Sequence, residues 1–172
     1  FNGEVFAQKD TSHYRTVFQT TKKYRIFLPT GYQQSAAIRY PVVYYLHGNK
    51  GTHQFGFDVQ PLADENKVII VAWNGRSVPN DDRPYNVGYH PNINYQVQFK
   101  DYFPELVQHI DSTYKTLTDR NHRAVIGHSM GGFMSLFLAG KYPHLVCAMV
   151  NSKGSPEFFV GYPNDHTLVQ AK

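Results

Sequence analysis

The chain has 172 residues, 41% of them hydrophobic, and a formal charge of +4; that is enough for one buried core, and no linker, low-complexity block or repeat period divides it. Its 17 basic residues are scattered rather than gathered in a stripe between aromatics, which argues against nucleic-acid binding, and no apolar run reaches the ~18 residues of a membrane span. The single cysteine, Cys147, excludes an internal disulfide, and no His/Cys/Asp cluster has ligand spacing, so neither metal nor cofactor is expected.

Residues 13–20 and 23–28 alternate polar with apolar side chains at period two, which predicts an antiparallel edge hairpin turning at Thr21-Lys22. Pro29-Thr30-Gly31-Tyr32 ends it in a turn, and 33–39 is a polar loop. Pro41 to Leu46 is a nearly continuous apolar run, as expected of a central strand covered on both faces. Directly after it comes His47-Gly48-Asn49-Lys50-Gly51, whose glycines allow close approach of backbone to a ligand. The Asn49 N–H is a candidate oxyanion donor. His47 reads first as a brace of this loop through hydrogen bonds, and beyond that as a candidate substrate contact.

Residues 54–65 are helix-compatible, and 67–73 form a second buried strand ending in Trp73. The segment 74–94 holds Asn74-Gly75, Pro79, Pro84, Gly88 and Pro91 among Tyr85, Tyr89 and His90. A loop this long in a compact domain is often functional, so it is expected to wall or cover a cleft, with Trp73, Tyr85 and Tyr89 as candidate substrate contacts. Phe103, Leu106, Val107, Ile110 and Tyr114 share one face of a helix, with Pro104 in its first turn. Asp119 to His122 is a polar turn, Arg123 to Ile126 a strand, and Phe133, Leu136, Phe137 and Leu138 bury a helix that stops near Gly140-Lys141-Tyr142-Pro143. A last apolar strand spans 145–150, where Cys147 reads as a small buried hydrophobe. The Gly/Pro-rich remainder, 151–172, has no clear period.

Between the strand at 123–126 and the helix after it lies Gly127-His128-Ser129-Met130-Gly131-Gly132. A G-x-S-x-G core in a strand-turn-helix context is a nucleophile elbow. The serine sits on a turn so tight that a Cβ two residues before or after it would strike its neighbours, which lifts the hydroxyl clear of the sheet. The same turn aims the N–H of Met130, at the positive end of the new helix, toward a developing oxyanion. His128, at the first x, is directed away from that hydroxyl.

Alternation of buried strands with helices after residue 41 predicts a single α/β domain: a mostly parallel sheet with helices on both faces and an antiparallel edge hairpin. Ligands of such sheets bind beyond the carboxyl ends of the strands, where Gly48-Asn49 and Ser129 both fall. Taken together, Tyr24 to Tyr32, Tyr40 to Gly48 and Arg123 to Gly132 resemble the esterase D-like family of α/β-hydrolases, which includes feruloyl and acetylxylan esterases, S-formylglutathione hydrolases and mycolyltransferases. The resemblance runs from about residue 14 to residue 150. It implies Ser129 as nucleophile and the backbone N–H groups of Met130 and Asn49 as the oxyanion hole.

It also implies an acid and a histidine on loops after later strands, and the 43 residues after Ser129 hold one strand where the family has three. Asp165 and His166 are the only late acid–histidine neighbours and come too soon and too close together to be that pair. The expectation is therefore the N-terminal portion of a longer hydrolase, with strand 145–150 left as an apolar edge for further strands of the same product or a neighbouring copy. The first residue, Phe1, reads as that of a processed or trimmed product, with a secreted or periplasmic location slightly favoured. Three functions follow: a serine ester hydrolase acting on an ester that is a small molecule or linked to a glycan, an acyltransferase to a sugar, or a non-catalytic binding protein that uses the aromatic loop.

Overall fold

The computed structural model describes residues 8–15, 20–34, 37–48, 51–54, 56–75 and 102–154. Their centre is a six-stranded sheet of order β1-β2-β4-β3-β5-β6. Strand β3 (Val42–Leu46) pairs in parallel with β4 (Ile69–Trp73) on one side and β5 (Arg123–His128) on the other, and β5 pairs in parallel with β6 (Ala148–Ser152). The carboxyl ends of these strands therefore gather along one rim. Two antiparallel strands, β1 (Gln8–Arg15) and β2 (Thr20–Phe27), extend the sheet past β4.

Period-two burial decides which side chains face which layer. Tyr24, Ile26, Tyr44, Leu46, Val71, Trp73 and Val125 turn to one face and are buried there with Phe103, Leu106, Val107 and Ile110 of α2 (Tyr102–Thr113) and Met130, Phe133, Met134 and Leu138 of α3 (Met130–Lys141). Each large apolar side chain buried this way contributes about 1.5–3 kcal/mol. On the opposite face Phe27 and Ile70 pack with Val59 and Ala63 under the short helix α1 (Gln60–Asn66). The part of that face on β5 and β6 is open among the described residues: Ala124 and Ile126 are half-buried, and Ala148 and Val150 are exposed.

Several boundaries depart from the sequence expectation. Thr21 and Lys22 lie inside β2, paired with Tyr14 and His13, and do not form the hairpin turn; Lys22 is buried on the same face as Tyr24 and Ile26. Helix α1 starts late, with Pro61 in its first turn, and stops at Lys67, whose left-handed φ of 51° lets the chain turn out of the helix. Strand β6 begins at Ala148 rather than 145, because Val146 plugs the core from the preceding turn. Cys147 is correspondingly exposed and not a core hydrophobe; its Sγ lies 3.3 Å from the Asn121 carbonyl.

At the amino end of β5, remote from the rim, Arg123 is buried. Its guanidinium donates to Asp111 of α2 at 2.7 Å and to the carbonyls of Leu145 and Thr118 at 2.8 and 2.9 Å. Asp111 also accepts from the Thr116 hydroxyl at 2.7 Å. One ion pair thus ties α2, β5 and the turn before β6 together.

Candidate active site

Ser129 follows β5 and precedes α3 with φ 56° and ψ −123°, a backbone conformation that is an outlier for any residue but glycine and is found where a site over-determines it. The surrounding glycines permit the turn. A Cβ on Gly127 would lie inside the carbonyl of Gly131, and a Cβ on Gly131 inside the carbonyl of Leu46 at the end of β3. Both obstacles are backbone and cannot swing aside. The turn is held from outside by the Ser129 N–H, which donates to the Ser152 carbonyl of β6 at 2.7 Å.

Serine at a helix N-cap ordinarily bonds its hydroxyl to an N–H of the first turn. Ser129 occupies the N-cap of α3 and makes no such bond. Its hydroxyl stays available, at the positive end of α3, beside first-turn N–H groups that have no partner within the helix. Met130 is the first residue of that helix and its side chain is buried.

The loop after β3 reaches the same place. Gly48 abuts the serine so closely that a Cβ on it would sit 3.4 Å from the Ser129 Cβ and 3.9 Å from its Oγ. Asn49, the next residue and the sequence candidate for the second oxyanion donor, lies outside the described residues, as do Tyr85, Tyr89, Asp165 and His166. His47 is buried with both ring nitrogens engaged: Nε2 accepts the Gly75 N–H at 3.0 Å, so Nδ1 carries the proton and donates to the Gly48 carbonyl at 2.8 Å. That carbonyl also accepts the Gly51 N–H at 3.1 Å. The imidazole therefore ties the loop beside Ser129 to the chain leaving β4. Trp73 is buried at the end of β4, its indole edge-on to Phe103 with 5.7 Å between centroids.

No described histidine or carboxylate is hydrogen-bonded to the Ser129 hydroxyl. His128 is exposed, with Nδ1 3.4 Å from the Ser152 hydroxyl. His109 meets Tyr24, and His122 meets Asp119. Asp10 is paired with Arg25, Asp111 with Arg123, and Asp64 accepts the Thr30 N–H. Burial lowers the pKa of His53 and His109, which keeps both rings neutral near pH 7. Sequence reasoning missed two parts of the site, the Ser152 carbonyl and the Asn151–Gly154 turn behind it. Their only signal was Asn151 and Gly154 in a stretch without period.

The family described as "Putative esterase" matches residues 16–156. Esterase Rv1288 of Mycobacterium tuberculosis is 32% identical over 122 residues, which is 68% of this chain and 25% of that protein. A ferulic acid esterase superposes with a TM-score of 0.70 at 24% identity, over 86% of this chain and 57% of that one. The S-formylglutathione hydrolase FrmB of Staphylococcus aureus superposes with a TM-score of 0.65 at 17% identity, over 81% and 54%. The fold is accordingly that of the α/β-hydrolases. The chain spans about a quarter of the length of the curated relative and a little over half of the solved ones.

Proposed function

We propose that this chain, which belongs to the esterase family, is the nucleophile-bearing N-terminal portion of a serine carboxylic-ester hydrolase. The observation that carries the proposal is Ser129: a serine in a strained turn at a helix N-cap whose hydroxyl does not cap the helix. Its Oγ attacks the acyl carbonyl carbon as its proton passes to a base. The N–H groups of Met130 and Asn49 hold the resulting oxyanion, each worth about 3 kcal/mol in the transition state. Collapse expels the alcohol, which takes the proton back, and leaves an acyl group on Ser129; water then releases the acid by the same steps in reverse order.

The acid and the base come from polypeptide beyond these residues, a reading supported by the share of the relatives' length that the chain spans. The substrate is an acetyl or feruloyl ester or another acylated carbohydrate, which Tyr85 and Tyr89 contact while the buried His47 and Trp73 hold the adjoining loops. The ferulic acid esterase among the structural relatives supports this class of ester.

The test is hydrolysis of p-nitrophenyl acetate and of methyl ferulate by the longer gene product and by its Ser129→Ala variant. Turnover should fall by at least about a thousandfold in the variant. Equal turnover by both proteins would remove Ser129 from the reaction. Product analysis with an added sugar distinguishes hydrolysis from acyl transfer, since a transferase would yield acylated sugar at the expense of free acid.

A further inference from the structure

Two imidazoles are stacked where the edge strand meets the helix layer. The His13 ring of β1 lies parallel to that of His109 on α2, with 4.3 Å between centroids and 7° between planes. Tyr24 of β2 stands edge-on to both, at 6.2 and 5.5 Å, and its hydroxyl is hydrogen-bonded to the His109 Nε2 at 2.9 Å and to the Tyr114 hydroxyl at 3.3 Å. Both ring nitrogens of His13 are buried. Lys22, directly across the hairpin from His13, is buried on the same face, and Glu105 lies one helical turn before His109. The described groups around the stack are thus one ammonium, one carboxylate and two phenols. Burial prevails at His109 all the same, and lowers its pKa below the ordinary imidazole value.

Among the described residues little else holds β1. The strand pairs with β2 alone, its Gln8, Lys9, Asp10, Ser12 and Tyr14 side chains are exposed, and only Thr11 and His13 are half-buried. An edge without a buried apolar anchor belongs to the low-stability end of a fold. Besides the backbone ladder and the stack, Asp10 ties the strand down: it accepts from Arg25, and from Gln54 of the loop that runs on from Gly48, whose Nε2 donates at 2.8 Å. Asp10 keeps its charge down to about pH 2. Between pH 7 and 5 the imidazoles are therefore the part of this attachment that changes charge.

We propose that the His13–His109 stack is an acid-sensitive joint: once protonated it no longer holds β1 against α2, and the edge strand loosens while β3, β4 and β5 stay in place. A proton taken up in the docked state puts a charge into a half-buried site beside the Lys22 ammonium, whereas in the loosened state the same imidazole is charged in water. The docked state therefore binds protons less readily than the loosened one, so the hold is complete above about pH 6.5 and is lost as pH falls below it. Loosening of β1 also gives up the Asp10–Gln54 bond, and with it one restraint on the loop beside Ser129.

The test is hydrogen exchange of the longer gene product at pH 7.5 and pH 5.5, read by mass spectrometry with exchange times scaled to the intrinsic chemical rate. Protection of peptides covering β1 should fall about three- to tenfold at the lower pH, tenfold corresponding to one pKa unit between the docked and loosened states, while β3 and β5 keep theirs. His109→Gln leaves the Tyr24 hydroxyl a partner and His13→Phe leaves a ring face, and neither new side chain titrates, so the double variant should lose the pH response. Equal protection of β1 at the two pH values, a fall that persists in the double variant, or an equal fall in β3 and β5 would overturn the proposal. The imidazole NMR signals of the parent protein give a second measure that needs no variant. His109 should titrate below about 6.5, the ordinary imidazole value, and titration at or above that value would equally overturn the proposal.

Discussion

Ser129 owes its conformation to residues with almost no side chain. Gly127 and Gly131 are required because backbone carbonyls occupy the space a Cβ would need, and a carbonyl in the sheet or in the helix cannot move without taking its element along. Gly131→Ala should therefore cost more than the ~1–3 kcal/mol typical of overpacking, measured by urea denaturation, and should suppress reaction at Ser129. A loss below about 1 kcal/mol would mean that α3 can back away from β3. The glycine spacing made this turn legible in the sequence. The hydrogen bonds of His47 were half legible: a brace was expected, but the Gly75 N–H comes from 28 residues further along the chain, and no local pattern reports such a partner. The Ser152 carbonyl had no signal of its own, since a backbone acceptor carries no residue identity.

Helix α2 and the central strands were read close to where they lie, whereas the hairpin was displaced despite its alternation, and Leu136, expected to bury α3, is exposed. Helix α2 buries the apolar stripe expected of it, with Pro104 in the first turn. The hairpin turn was misplaced because the polar pair Thr21-Lys22 read as a break although Lys22 is buried within β2, and β6 was misplaced because Val146 fills the core from a turn. Two carboxylates test the packing of these elements with opposite signs. Asp10 of β1 is pulled down to about 2, chiefly by its hydrogen bond from Arg25 of β2. A depressed folded-state pKa gives stability that is present above the unfolded value near 4 and lost as pH falls toward 2. The Asp10 side chain is 41% exposed, so the contribution is discounted to about 0.5–1 kcal/mol. Asp10→Asn should flatten the stability profile by that amount between pH 4 and 2, seen as a smaller fall in Tm; an unaltered acid limb would contradict the pairing.

Asp111 is shifted the other way: burial raises its pKa despite the Arg123 guanidinium beside it. Arg123→Met would strand a largely buried carboxylate and should cost about 3–5 kcal/mol near pH 7. The loss should shrink on acidification, as the carboxyl takes up a proton, and the double replacement Arg123→Met/Asp111→Leu should recover much of it. Denaturation of the three variants at pH 7 and pH 4 measures both effects. A single variant as destabilised at pH 4 as at pH 7 would show that Asp111 is not the stranded group.

At the scale of the whole molecule the sheet is unevenly covered. One face carries α2 and α3, while the other carries α1 over β2 and β4 and is open on β5 and β6 among the described residues. Strand β6 is also an edge in that set, with no charged residue along it, although edge strands usually carry charges that discourage further pairing. The sequence pattern foretold an α/β sheet, because apolar runs are a local property, but placed its last strand at 145–150, where the edge strand is Ala148–Ser152. What covers an edge is not local. The 172-residue chain alone is expected to hydrolyse p-nitrophenyl acetate poorly or not at all and to self-associate with concentration in sedimentation velocity, while the longer product should hydrolyse the ester well and not self-associate through β6. Efficient Ser129-dependent turnover by a monomer of the 172-residue chain would contradict this division of the machinery.

Ser129 acts in the proposed reaction as an activated nucleophile, and a fluorophosphonate probe reads that state directly. Incubated with the longer gene product, the probe should add once, on the peptide containing Ser129 as located by mass spectrometry, and should not add to the Ser129→Ala variant. No adduct on the parent protein, or an adduct that persists in the variant, would contradict it.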